Sequence, residues 1–168
     1  MTVVLSVFDP ERIYVGHKKF DCGHAKINKF AHDSLKGQVR KSLSVAYVLT
    51  DSSKKDKFVG FFTIAQHSID VSSLSALQLG SLPRQIPCSR LIMLGVDVAY
   101  KKQSLGLQLM KEAFLATKAI AKVAGCYGMY LDADPGAIGF YSKLGFVLLQ
   151  GDLSPAESPM FIPMASIP

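Results

Sequence analysis

Apolar positions along this chain come as short runs cut by polar links, and only one long stretch keeps a helical period. From Met1 to Pro10 valines and a phenylalanine interleave with polar residues, which predicts a first strand. Between Cys22 and Lys36 the apolar residues are Ala25, Ile27, Phe30, Ala31 and Leu35, an approximate helical stripe with lysines between, and a further turn or two is expected from Gln38 to Leu43. Ser44 to Asp51 and Phe58 to Val71 have strand character, and the polar link from Asp51 to Lys57 is a hairpin signal. Val71 to Ser89 is rich in serine, leucine and proline, with Pro83 and Pro87, and predicts a loop with room for a short helical turn.

The second half begins with Leu91 to Val98, a mostly apolar run of the kind found in a central strand buried on both faces. After Tyr100 to Ser104 a long helix is expected, ending near Gly125. Leu105, Leu109, Ala113, Ala116, Ile120 and Val123 turn inward, and Gln108, Lys111, Glu112, Lys118 and Lys122 outward. Met129 to Asp132 predicts the next strand, Ala137 to Lys143 a short helix, and Phe146 to Leu149 and Met160 to Met164 two closing strands. Strands and helices mix throughout and nothing repeats, so the expectation is a single α/β domain over residues 1–168.

Composition narrows the classes. There is no apolar run of about 18 residues to span a membrane, and the N-terminus lacks a basic start and a small-residue cleavage site, so a cytoplasmic location is expected. Cys22, Cys88 and Cys126 fit neither a disulfide framework nor a C-x-x-C pair, and His17, His24, His32 and His67 lack metal-ligand spacing, so no metal is predicted. The net charge is +6, with Lys18, Lys19, Lys26, Lys29, Lys36, Arg40 and Lys41 in the first quarter. Such a surface attracts nucleic acid, an acidic partner or a phosphate-rich cofactor, or it merely solubilises. No zinc-finger, homeodomain or aromatic-basic RNA-binding motif decides among these.

Two segments carry candidate chemistry. A central strand that feeds through a short basic loop into a long helix makes an anion site from unpaired backbone N–H groups and the positive helix end. Here Lys101 and Lys102 add charge, Ser104 suits the N-cap, and Gly106 permits close approach. The P-loop and dinucleotide-fold patterns are both missing. The second segment runs from Leu131 to Phe146, where a strand ends, a short helix carries Tyr141, and Gly145 restarts a strand. A phenol at a sheet rim, with an ordinary pKa of about 10, can protonate a leaving group at neutral pH. Phe140, Tyr141, Leu144 and Phe146 serve equally well as core residues around a tight turn.

In this order the elements resemble the GNAT (Gcn5-related) N-acetyltransferases over nearly the whole chain. The resemblance implies the acyl-CoA N-acyltransferase fold, a mixed and mostly antiparallel central sheet flanked by helices and splayed at strands 4 and 5. Leu94-Gly95-Val96-Asp97, continuing to Val98, resembles the family's splayed fourth strand, whose backbone pairs with the pantetheine arm of acetyl-CoA. Lys101-Lys102-Gln103-Ser104-Leu105-Gly106, continuing to Leu107, stands where the family has its Q/R-x-x-G-x-G pyrophosphate loop. Ala137 to Phe146 matches the phrase A-x-x-F-Y-x-x-x-G-F, which implies Tyr141 as the general acid and Phe140 beside the cofactor.

A narrower similarity lies in Phe20-Asp21-Cys22-Gly23, Ile27-Asn28-Lys29-Phe30, Val45 to Leu49 and Val59 to Ile64, which resemble the opening of the acetyltransferase toxins of toxin–antitoxin pairs, the TacT and AtaT type. That resemblance implies acetylation of the α-amine of aminoacyl-tRNA, a block of translation, a ribbon-helix-helix antitoxin and a homodimer. Where those toxins read Q-G-R-G-x-G this chain has Lys101, Lys102, Gln103 and Ser104 before Leu105 and Gly106, with serine in place of glycine, and Met93 replaces an arginine before the fourth-strand motif. Two alternatives follow: a GNAT enzyme for a small-molecule or protein amine, and a degenerate GNAT-fold binding protein. The developing oxyanion would be supported by the backbone N–H of Val96 or its neighbour. Asp97, Glu112, Asp132 and Asp134 are the candidate bases, although an α-amine of pKa about 8 can lose its proton to water.

Overall fold

The computed structural model describes residues 2–168. Its strands are β1 (Val3–Val7), β2 (Val45–Asp51), β3 (Lys57–Asp70), β4 (Gln85–Val96), β5 (Gly128–Ala133), β6 (Val147–Leu148) and β7 (Ser158–Pro163). They form one mixed sheet in the order β1-β2-β3-β4-β5-β7-β6, with β4 and β5 parallel. The α-helices are α1 (Ala25–Lys29), α2 (Leu35–Arg40), α3 (Leu105–Ala121) and α4 (Ile138–Lys143). Contacts divide the chain into two compact units, Met1–Ala65 with Ile92–Ala113, and Gln66–Leu91 with Phe114–Pro168.

In the first unit β1, β2 and the opening of β3 are antiparallel, with Val3 opposite Asp51 and Asp51 opposite Lys57. The expected hairpin link is closed by Asp51, whose carboxylate accepts from the Ser53 amide at 3.0 Å and hydroxyl at 2.6 Å, and from the Tyr100 hydroxyl at 2.6 Å. Those donors, Ser53 first, hold the Asp51 carboxyl down at about 2. The core gathers Phe8, Phe20, Phe58 and Phe61 with Leu35, Ala46 and Val48. Phe20 meets Phe58 and Phe61 edge-on at 5.3 and 5.6 Å. The predicted helical stripe is real but not uniformly α: a π turn at Phe30–Ser34 joins α1 to α2. That wider turn puts Phe30, stacked on Phe61 at 6.3 Å, on the same side as buried Ala31 and Leu35.

In the second unit β5 pairs with β7 over six positions, and Ile69, Leu74, Ile86, Cys88 and Phe161 form the core. The segment expected to be loop as far as Ser89 becomes a 3-10 turn at Val71–Leu77 and then strand from Gln85. Pro87 misled the reading because it removes a donor. It sits near the start of β4, where that loss is tolerable, and its carbonyl still accepts from the Tyr127 amide at 2.8 Å. The Ser89 and Thr117 hydroxyls, both buried, share a 2.8 Å hydrogen bond. Ala116 and Ile120 of the expected inward stripe of α3 are half-buried. Val123, expected to face inward, lies past the helix end and is 86% exposed. Among the described residues no helix is long and apolar enough to cross a membrane.

Candidate active site

The end of β4 is held by the segment Phe20 to Gly23, and each residue there has a mechanical task. Phe20 anchors in the aromatic core, and Asp21 accepts from the Gly23 amide at 2.8 Å and the Asn28 side chain at 2.9 Å. The Cys22 amide donates to Asn28 at 2.8 Å. Cys22 and Ile27 then lie so close to Gly95 that a Cβ there would come within 3.2 Å of the Cys22 Sγ and 3.0 Å of the Ile27 Cγ2. Any larger residue at Gly95 would require Cys22 and Ile27 to give way by a few tenths of an ångström. The Val98 amide donates to the Asp21 carbonyl at 2.8 Å, so the strand end and the helix start are stapled together.

Asp97 completes the staple. It is 7% exposed, its amide donates to the Val59 carbonyl at 2.8 Å, and its carboxylate accepts from the Ala99 amide at 3.0 Å and the Asp21 amide at 3.3 Å. Both carboxylate oxygens thus serve the 3-10 turn Val98–Tyr100 and the Asp21 backbone. Leu94 and Val96 are half-buried along β4, while Val98 lies beyond the strand and is 50% exposed. Met93 packs against the aromatic core of its unit, so the position where the toxins carry arginine supplies packing here instead of charge.

The loop that follows is open. Lys101, Lys102, Gln103 and Ser104 are all exposed, and the Ser104 carbonyl accepts from the Gln108 amide at 3.1 Å, which puts Ser104 at the expected N-cap of α3. Lys102 at φ +64° and Ser104 at φ +59° are both left-handed. That backbone favours glycine, and each side chain there costs about 1 kcal/mol. Leu105 is buried, Gly106 half-buried and Leu107 exposed at the first turn.

Tyr141 lies in the second unit, on α4 after the 3-10 turn Pro135–Ala137. Gly145, at φ +107°, reverses the chain, and the Phe146 amide donates back to the Tyr141 carbonyl at 3.2 Å. The expectation of a phenol of ordinary acidity is corrected here. Tyr141 is 8% exposed, with Phe140 and Phe146 edge-on at 5.1 and 5.6 Å. Burial pushes its pKa up from the ordinary value, and the charge of Asp134 adds to the rise. A phenol of ordinary pKa about 10 is already protonated at neutral pH, and burial reinforces that state. Phe140 is on the exposed side of the turn, at 36%.

Of the candidate bases, Asp97 serves the strand end as described. Asp132 accepts from Arg90 at 3.1 Å and from the Tyr130 hydroxyl at 2.8 Å. Asp134 opens the 3-10 turn before α4, its carbonyl accepting from the Ala137 amide at 2.9 Å. Glu112 is half-buried on α3. Sequence reasoning missed Arg90, Tyr130 and His67 around Asp132. The signal was the two-residue period that sets Tyr130 and Asp132 on one face of β5.

A mixed sheet with a parallel β4–β5 step, a basic loop opening a long helix, and a tyrosine on the short helix after β5 define an acyl-CoA N-acyltransferase fold. A family model for the acetyltransferase (GNAT) domain matches residues 42–148, and the chain belongs to that family. It is also similar, at 36% identity and a TM-score of 0.92, to a crystal structure described as a bacterial toxin, covering 98% of this chain and 92% of that one. A tyrosine-to-phenylalanine mutant of the toxin AtaT, bound to acetyl-CoA and the C-terminus of the antitoxin AtaR, matches with a TM-score of 0.79 at 24% identity, over 98% of this chain and 94% of that one. AtaT complexed with acetyl-methionyl-tRNAfMet matches with a TM-score of 0.85 at 24% identity, over 98% and 96% of the two chains. These last two likenesses establish the fold.

Proposed function

We propose that this chain is a toxin acetyltransferase that moves the acetyl group of acetyl-CoA to the α-amine of an aminoacyl-tRNA and so blocks translation. The observation that carries the reading is the likeness to a bacterial toxin at 36% identity along 98% of the chain. The AtaT complexes with acetyl-CoA and with an acetylated aminoacyl-tRNA supply the two substrates by analogy.

In this reading the phosphates of acetyl-CoA lie on the backbone N–H groups of the loop Lys101 to Leu107, with Lys101 and Lys102 adding charge. The pantetheine arm runs along Leu94 to Val98, and Phe140 flanks the cofactor. The α-amine attacks the thioester carbonyl, the Val96 amide or its neighbour supports the oxyanion, and Tyr141 gives its proton to the departing thiolate. The nineteen lysines and arginines against thirteen acidic residues suit a polyanionic acceptor. A ribbon-helix-helix antitoxin, a homodimer and a cytoplasmic location complete the proposal.

The degenerate alternative rests on Ser104 and Met93. Ser104, like Lys102, adopts the left-handed backbone that favours glycine, which supports a working loop. Expression without a partner is expected to arrest bacterial growth, and Tyr141→Phe to relieve the arrest at equal protein level. Acetylation of charged tRNA is expected to weaken steeply with salt as counterions are released. A harmless wild type that acetylates small amines at every salt concentration would favour the small-amine enzyme. Binding of acetyl-CoA without transfer would favour the degenerate protein.

A further inference from the structure

The loop assigned above to the cofactor phosphates is anchored at its entrance by a residue outside the motif. From Lys101 to Ser104 the loop is exposed, and its backbone enters the left-handed region at Lys102 and again at Ser104. An exposed run with few buried contacts takes its shape from its two ends. Towards α3 the end is the buried Leu105. Towards β4 it is Tyr100, the last residue of the 3-10 turn Val98–Tyr100, 4% exposed, with its amide donating to the Asp97 carbonyl at 2.9 Å.

The Tyr100 side chain runs from there to the foot of the β2–β3 hairpin, where its hydroxyl donates to Oδ2 of Asp51 at 2.6 Å. Asp51 is itself fixed. It is fully buried at the end of β2, opposite Val3 on β1 and Lys57 on β3, and its Oδ1 accepts from the Ser53 amide and hydroxyl. The Lys54 and Lys57 ammonium groups lie 5.8 and 5.6 Å from the centroid of the Tyr100 ring, which holds the ring as well as the hydroxyl. Ser53 first, and then Tyr100, keep the Asp51 carboxyl at about 2, while burial first, and then Asp51, push Tyr100 up to about 12. Across neutral pH the phenol therefore donates to a full carboxylate, which makes this a charge-assisted bond of the stronger kind. Every residue of the network belongs to the first unit, as does the loop.

We propose that Tyr100 is a positioning residue for the cofactor: seated on Asp51, it fixes where the backbone of Lys101 to Leu107 begins, and so sets the affinity for the phosphates of acetyl-CoA without touching them. This rests on the cofactor part of the function proposed above and is independent of the acceptor. Backbone N–H groups hold a phosphate only when several converge on it. A shift on the order of 1 Å at the loop entrance stretches bonds of about 2.9 Å out of useful range. The pantetheine arm is assigned to the strand before the turn, where Asp97 is held separately by the Val59 carbonyl and the Asp21 amide. Loss of the Tyr100 anchor should thus reach the phosphates and spare the arm.

The test is calorimetric affinity for acetyl-CoA and for phosphate-free acetylpantetheine, with thermal unfolding beside it, in wild type, Tyr100→Phe, Asp51→Asn, the double variant and Ser53→Ala. Tyr100→Phe keeps the ring and loses the hydroxyl. It is expected to weaken acetyl-CoA about threefold to tenfold and to leave acetylpantetheine unchanged. Asp51→Asn should act in the same direction, and because it leaves no unpaired buried charge it carries the test if Tyr100→Phe does not fold. The double variant should be no weaker than the worse single one, since both act through one bond. Ser53→Ala removes a different donor from the same carboxylate, so it should lower the Tm and leave the ratio of the two affinities as in wild type. Unchanged acetyl-CoA affinity, an equal loss for both ligands, additive losses in the double variant, or a Ser53→Ala loss of the same selectivity overturns the proposal. Failure of the cofactor reading looks different: wild type itself then binds neither ligand, or binds both equally, and both claims fall.

Discussion

The loop Lys101 to Leu107 and the turn Asp134 to Phe146 solve opposite problems. The loop is exposed and charged from Lys101 to Ser104, and in the proposed reading it binds phosphates through backbone shape. Lys102 and Ser104 stand there at left-handed positions. Within the turn Tyr141 and Phe146 are buried, and the chemistry proposed there resides in one packed hydroxyl, with Phe140 and Phe146 edge-on to its ring. A binding site built from backbone tolerates substitution at a small cost in strain. A site built from one packed side chain tolerates none. The two regions should accordingly respond to mutation in different currencies, affinity in one and rate in the other.

The sharpest way to break this contrast is Tyr141→Phe. It removes one hydroxyl from a packed position, so folding and acetyl-CoA binding are expected to persist while turnover falls by a factor on the order of 10² to 10⁴. Steady-state kinetics beside acetyl-CoA titration separate the two effects, and unchanged turnover would move the general acid elsewhere. Next in size is Gly95→Ala. The new methyl meets Cys22 and Ile27 at 3.0 to 3.3 Å, and denaturant unfolding should show a loss of about 1 to 3 kcal/mol.

Replacing Lys101 and Lys102 together by alanine should weaken acetyl-CoA about tenfold and a phosphate-free pantetheine fragment far less. Calorimetry on both ligands checks this, and equal losses would place the lysines away from the phosphates. The smallest effect belongs to Ser104→Gly. Relief of the φ +59° conformation is expected to stabilise by up to about 1 kcal/mol, reduced by the greater freedom glycine has in the unfolded chain, with acetyl-CoA affinity unchanged or improved. A loss of affinity would mean that the Ser104 hydroxyl itself contacts the ligand.

Much of the fold was legible because its signals are local. The hairpin between Asp51 and Lys57, the long helix after Ser104 and the strand–helix–strand unit around Tyr141 each announce themselves by period and by turn residues. Pro87 hid the start of β4, since a proline tells the reader that a donor is missing but not whether the strand can spare it. The π turn at Phe30–Ser34 was hidden because a stripe of apolar residues has nearly the same spacing in either helix. Of the site, the loop and Tyr141 could be read from motif, whereas the burial of Tyr141 depends on Phe146 folding back across Gly145. The cluster of His67, Arg90, Tyr130 and Asp132 draws on three strands far apart in sequence, and no local pattern joins them.

The central claim is that the acceptor is the α-amine of an aminoacyl-tRNA, and the most direct measurement is transfer of label from radiolabelled acetyl-CoA to total tRNA, charged and uncharged, by the purified protein. The account predicts label on charged tRNA, lost when the aminoacyl ester is hydrolysed, with uncharged tRNA left blank and Tyr141→Phe almost inactive. Equal labelling of charged and uncharged tRNA, or no labelling of either while acetyl-CoA binds, would contradict it.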